Sequence, residues 1–303
     1  MGWEIYVLFG FILLFLVYLY ISLQIAMSIV LPKVKSLEKT IEEETTRDKT
    51  LIDYLKDNKT KEYSLKSRYG YKLQVYEMFN LKTNKYVVIS HGYTYSHLGS
   101  IKYALMMNKL GFNAILYDHR FHGRSGGKNT TLGYYEKDDL YDIISHVYKE
   151  KGKDIYLGTY GESMGSATAI LEQTKDKRVK FVICDSGFKD LKTLIKQKLT
   201  KKKLPSWLFF LAINFFSWLI TKANLTKVKP IEALNDANVP ILFVHGINDE
   251  FISYKDTLDM YKAYKGNKML YLGEEKANHA RTYYYNKEKY YEILQDFNNR
   301  YLK

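Results

Sequence analysis

Ser163 sits in Gly161-Glu162-Ser163-Met164-Gly165, between the apolar run Asp154-Ile155-Tyr156-Leu157-Gly158-Thr159-Tyr160 and the helix-forming Ser166-Ala167-Thr168-Ala169-Ile170-Leu171-Glu172. A strand, a sharp turn and a helix in that order, with small residues on both sides of a serine, lift the hydroxyl above a sheet, where it can attack a carbonyl. A serine hydroxyl is a weak nucleophile at neutral pH. It needs a base to take its proton and a carboxylate to fix the base's tautomer. His279, in Asn278-His279-Ala280 near the carboxyl end, is the base expected. His97, His119, His122, His146 and His245 read as loop, packing or surface residues, His91 as a structural hydrogen-bond partner, and Glu162 as a local orienting or surface group. Two carboxylates compete for the third role. Asp185 ends the run Phe181-Val182-Ile183-Cys184, and Asp249, with Glu250 beside it, follows Pro240-Ile241-Leu242-Phe243-Val244-His245-Gly246.

Tyr86 to Ser90, Ala114 to Tyr117, Ile155 to Tyr160, Phe181 to Cys184, Ile241 to Val244 and Met269 to Leu272 are short apolar runs of the kind that parallel strands covered on both faces require. Tyr71 to Phe79 reads as an antiparallel edge strand or hairpin. Ser100 to Leu110, Glu136 to Lys149, Ser163 to Gln173, Tyr254 to Tyr264 and Asn286 to Tyr301 supply the helical crossovers, and no internal repeat is visible. The expected class is therefore α/β, a mostly parallel sheet flanked by helices. About 189–230 interrupts the alternation and reads as a helical cap insertion. In it, Lys192 to Lys203 is basic and amphipathic, and Pro205 to Ile220 is aromatic and aliphatic but too short to span a bilayer comfortably.

The chain resembles the α/β-hydrolase superfamily from about Tyr63 to Lys303. The residues that carry the likeness are His91-Gly92-Tyr93-Thr94-Tyr95-Ser96, Asp118 to Ser125, Gly161 to Gly165, His245 to Asp249 and His279. Together they look like the branch of monoglyceride lipases and serine aminopeptidases, with membrane-anchored bud-emergence-like bacterial hydrolases nearest. The resemblance implies the α/β-hydrolase fold, the chain order Ser163, Asp249, His279 for a catalytic triad, and an oxyanion hole made by the backbone N–H groups of Tyr93 and Met164. It favours Asp249 over Asp185, because His-Gly-x-x-Asp-x-x-Ile is similar to the family's acid-bearing loop. Two residues depart from the pattern: Ser166 stands where many relatives have a second glycine, and Phe121 where the Asp-x-Arg-Gly-x-Gly-x-Ser pattern has one.

At 303 residues the chain accommodates one α/β domain with an insertion. A single cysteine, Cys184, excludes an intramolecular disulfide and reads as a buried thiol; no Cys/His spacing suggests a metal, and no cofactor is implied. Lysine and arginine number 46 against 33 acids, a net charge of +13, and between Lys189 and Lys229 ten lysines meet only Asp190. With no nucleic-acid motif beside it, this concentration points to an anionic membrane surface rather than to specific nucleic-acid binding.

Ile5 to Leu31 is long and apolar enough to span, and it lacks the positive n-region of a signal peptide. Residues 1–32 thus read as a transmembrane anchor, 33–62 as a charged connector and 63–303 as the hydrolase domain. Lys33, Lys35, Lys39, Arg47 and Lys49 all follow the anchor, which places the catalytic domain on the cytoplasmic side. The expected activity is hydrolysis of a small-molecule or lipid ester through an acyl-enzyme. The alternatives are a serine aminopeptidase-type peptidase, which would need acids in the cap to hold a substrate amine, and a non-catalytic membrane-docking protein, which would show a broken triad or missing elbow glycines.

Overall fold

In strand β3 (Lys85–Ser90), Val87 and Ile89 face one layer of helices while Tyr86 and Val88 face the other, so an unbroken apolar run satisfies both surfaces of one sheet. The computed structural model describes residues 2–51 and 60–302, so 52–59 of the charged connector lie outside the described residues. The sheet has eight strands in the order β1-β2-β4-β3-β5-β6-β7-β8. They are β1 (Lys61–Lys66), β2 (Lys72–Met78), β3, β4 (Asn113–Tyr117), β5 (Tyr156–Glu162), β6 (Val182–Asp185), β7 (Ile241–Gly246) and β8 (Lys268–Gly273). β1 and β2 form an antiparallel hairpin, β2 joins β4 antiparallel, and all later pairings are parallel. The parallel core thus has the expected strands, each within two residues of its apolar run.

The helices, in chain order, are α1 (Trp3–Val30), α2 (Leu37–Arg47), α3 (Ile101–Lys109), α4 (Glu136–Lys151), α5 (Met164–Gln173), α6 (Leu191–Lys201), α7 (Ser206–Thr221), α8 (Pro230–Ala233), α9 (Tyr254–Ala263), α10 (Thr282–Tyr285) and α11 (Lys287–Tyr301). Tyr103, Met107, Leu294 and Phe297 of α3 and α11 cover one face of the sheet, and Ile143, Ile144 and Ile170 of α4 and α5 the other. α6 and α7 are inserted between β6 and β7. The Asp190 carboxylate caps α6 by accepting from Thr193 N at 2.9 Å.

Two features lay beyond the sequence pattern. The connector is docked: Glu44 of α2 is buried and receives Lys102 Nζ and the Tyr284 hydroxyl, and Tyr283 donates to Asp48 at 2.9 Å. The hairpin strand β1 begins at Lys61, inside the stretch read as connector. The second feature concerns α1. All of Trp3–Val17 is exposed, but Ser22, Ala26 and Val30 are buried against the inserted helices. The Tyr18 hydroxyl donates to Leu208 O at 3.0 Å, its ring meets Phe209 edge-on, and Thr130 N donates to Val30 O at 2.9 Å. α1 and α7 therefore lie side by side, leaving Trp207, Leu211, Phe215 and Trp218 exposed on α7 beside the bare half of α1.

Candidate active site

The turn at Ser163 follows from its glycines. A Cβ on Gly161 would lie 2.1 Å from Gly165 O, and one on Gly165 would lie 2.1 Å from Ser90 O, so the strand can fold back into α5 only with hydrogen at both positions. Ser163 itself takes φ +56°, a left-handed conformation costing roughly 1–3 kcal/mol, while its N–H donates to Asp185 O at 2.8 Å. The expected result for Gly165→Ala is a thermal melt lowered by the equivalent of at least about 1–3 kcal/mol, because the clash is with backbone rather than with a movable side chain. A wild-type melting temperature would show that the turn can open.

His279, in the loop after β8, presents Nε2 to Ser163 Oγ at 2.9 Å and Nδ1 to Asp249 Oδ2 at 2.7 Å. Asp249, after β7, is fixed from all sides. Its Oδ1 accepts from Phe251 N and Ile252 N, each at 2.8 Å, and its Oδ2 also lies 2.9 Å from His245 Nε2. Burial alone would raise this carboxyl, but the hydrogen bonds from His245 and His279 hold it well below the usual carboxylate range. It is therefore ionised, and an ionised Oδ2 fixes the proton on His279 Nδ1, leaving Nε2 free to accept from the serine.

Asp185 is placed elsewhere. Its buried carboxylate accepts from the hydroxyls of Tyr290 (2.8 Å) and Ser186 (2.8 Å), with the Tyr103 hydroxyl 3.2 Å away, and no bond links it to His279. Burial raises its pKa.

His245, which the sequence reading grouped with loop, packing or surface residues, touches Asp249 directly. Nε2 faces two acceptors, Asp249 Oδ2 and Ile252 O, so it carries the proton, and Nδ1 accepts from the Thr257 hydroxyl at 2.6 Å. The available signal was its position four residues before Asp249. Glu162 is buried, not superficial: Lys102 Nζ lies 3.0 Å away, and the Tyr103 hydroxyl donates to it at 2.6 Å. Lys102 lies between Glu162 and Glu44; burial lowers its pKa, but the two carboxylates raise it well above normal, so the ammonium persists. This network ties α2 to the residue that precedes Ser163.

The loop carrying Tyr93 is held by two buried imidazoles. His91 Nε2 accepts from His119 N at 2.9 Å, and His122 Nε2 accepts from Thr94 N at 3.2 Å. Both must be neutral to accept, and burial pushes both pKa values down. Among the described residues, neither Tyr93 N nor Met164 N donates to a protein acceptor. Phe121, where a glycine was expected, takes φ +67°, the conformation a glycine would adopt without strain. Cys184 is buried, and its thiol is pushed up to about 12 by burial, which keeps it unreactive.

Ser163 stands between two cavities. One, of about 290 Å³, is apolar and is lined by Ile25 and Ile29 of α1, Leu194, Ile195 and Leu199 of α6, and Phe251. The other, of about 210 Å³, is polar and is lined by Glu44, Arg47, Lys102, Glu162, His279 and Arg281. Among the described residues, no group of acids, histidines and cysteines could hold a metal ion.

Residues 82–231 match the family model described as "Serine aminopeptidase, S33". The chain is 32% identical over 268 residues, 88% of each chain, to YqkD of Bacillus subtilis (strain 168), a protein described as uncharacterized. It is similar to the solved structure of the esterase Pf2001 of Pyrococcus furiosus, with 25% identity, a TM-score of 0.66 and coverage of 81% of this chain and 93% of that one. The acylaminoacyl peptidase of Pyrococcus horikoshii, at 17% identity and a TM-score of 0.61 over 80% of this chain and 42% of that one, shares the fold.

Proposed function

Because the chain belongs to the α/β-hydrolase superfamily, in the branch of monoglyceride lipases and serine aminopeptidases, we propose that it is a serine hydrolase that cleaves carboxylic esters through an acyl-enzyme, with Ser163, His279 and Asp249 as its triad. The observation that carries this reading is the continuous relay from Ser163 Oγ through the His279 ring to Asp249 Oδ2, at 2.9 and 2.7 Å. His279 Nε2 takes the serine proton as Oγ attacks the carbonyl. The N–H groups of Tyr93 and Met164, free of protein acceptors, receive the developing oxyanion. His279 then returns the proton to the leaving alcohol, and a water attacks the acyl-enzyme by the same route in reverse.

An ester is favoured over a peptide with a free amino terminus. Such a peptide needs an unpaired carboxylate to receive its ammonium, and the two acids lining the polar cavity, Glu44 and Glu162, are both engaged by Lys102. The test is a comparison of p-nitrophenyl esters with aminoacyl p-nitroanilides. Esters should be turned over faster by orders of magnitude, and equal or faster anilide hydrolysis would select the peptidase reading.

The same proposal places the protein on a membrane, with α1 as a single span and the hydrolase domain on the cytoplasmic side. α1 is the one described helix long and apolar enough to cross. The α6–α7 turn, with Lys201, Lys202 and Lys203, leads directly into the exposed Trp207, and α7 starts alongside Tyr18 of α1. These lysines would then meet the headgroups as a basic cap. A chain starting at Tyr18 keeps the part of α1 that is packed on α7. Its expected behaviour is binding to anionic vesicles that weakens with salt, and weakens again when Lys201, Lys202 and Lys203 are changed to glutamate. Indifference to anionic vesicles at low salt would remove the cap from the membrane contact.

A further inference from the structure

The last two turns of α1 line the apolar cavity that opens onto Ser163, and they do so through Ile25 and Ile29, one helical turn apart on the same face. Their position is fixed by the site itself. The Tyr93 hydroxyl donates to Ser28 O at 3.0 Å and to Ile29 O at 2.9 Å, satisfying carbonyls that the end of a helix leaves open. Lys35 N donates to Thr94 O at 2.9 Å just beyond. The residue whose backbone N–H is proposed to meet the oxyanion therefore also clamps the helix that closes the neighbouring cavity.

The two cavities are not equivalent for chemistry. His279 lines the polar one and not the apolar one. Since the imidazole must hand its proton to the leaving oxygen, the alcohol departs on the polar side, which leaves the apolar side for the acyl group. The same cavity is lined by Leu194, Ile195 and Leu199, three aliphatic residues from one buried face of α6.

We infer that α1 is a wall of the acyl-binding site: an extended acyl chain lies between Ile25 and Ile29 of α1 and the aliphatic face of α6, so the proposed anchor helix also selects chain length. The substrate class is an ester of a single linear acyl chain. Its chain is drawn in along the helix that itself stands in the lipid, and its polar alcohol faces His279. This rests on the serine-hydrolase reading above. Each methylene buried against this wall contributes roughly a fourfold gain in kcat/KM, so burial of only three or four of them separates a medium-chain ester from an acetate by about a hundredfold.

The experiment uses the full chain in detergent with p-nitrophenyl esters from acetate to dodecanoate, and two paired variants. Ile25→Trp with Ile29→Trp fills the cavity and is expected to lower the octanoate-to-acetate ratio of kcat/KM by at least about tenfold. Ile25→Ala with Ile29→Ala enlarges it and is expected to move the optimum to a longer chain. Thermal melts check folding, and if the tryptophan pair does not fold, the alanine pair decides. Variants that keep the wild-type profile, or that change every ester by one factor, overturn the inference, as does a flat wild-type profile. If Ser163 takes up a fluorophosphonate while the profile is flat, only the α1 wall is lost. If wild type neither labels nor turns over any ester, the hydrolase reading falls and the wall with it.

Discussion

Ser163→Ala is expected to lower ester turnover by about four to six powers of ten while leaving the thermal melt close to wild type. The reasoning is local. The substitution removes one oxygen from a turn whose conformation is set by Gly161, Gly165 and the 2.8 Å bond from Ser163 N to Asp185 O, none of which involves the hydroxyl. An alanine at φ +56° is no more strained than the serine it replaces. Steady-state hydrolysis of a medium-chain p-nitrophenyl ester reads the loss. Turnover within about tenfold of wild type would mean that another group carries the nucleophilic step.

Asp249→Asn should cost about four powers of ten in turnover, whereas Asp185→Asn should leave turnover within a small factor and act on stability. The amides of Phe251 and Ile252 both donate to Oδ1, so an asparagine must keep its carbonyl oxygen there and turn its NH2 toward His279 and His245. An NH2 opposite His279 Nδ1 forces the ring proton onto Nε2, the atom that must accept from Ser163. Asp185, by contrast, lies among three hydroxyls in the core, and burial already favours its neutral form, so an amide of the same shape replaces most of what it does. Measuring kcat and the melting temperature of both variants separates the two roles. The reverse ranking would move the acid to the end of β6.

The parallel strands were legible because helices cover both faces, which makes each strand an unbroken apolar run. The turn at Ser163 was legible because its glycines are a steric necessity. β1 was hidden for the opposite reason: it is an edge strand with alternate residues exposed, and Lys61-Glu62-Tyr63-Ser64-Leu65-Lys66 reads like the charged connector before it. The docking of α2 escaped notice because a Glu42-Glu43-Glu44 run looks solvated. Only the structure brings Lys102 and Tyr284, distant in sequence, to Glu44. The role of His245 depends on a bend that returns Asp249 and Ile252 to its ring. α1 read as an anchor from composition alone, but a helix apolar all round has no visible face, so nothing in the sequence marked Ile25 and Ile29 as neighbours of Ser163.

The most direct test of the catalytic assignment is mass spectrometry of the full chain after reaction with a fluorophosphonate. The expected result is a single adduct that maps to the peptide containing Ser163 and disappears on prior heat denaturation. A protein that hydrolyses esters yet carries no adduct, or carries it on any other residue, would contradict the assignment.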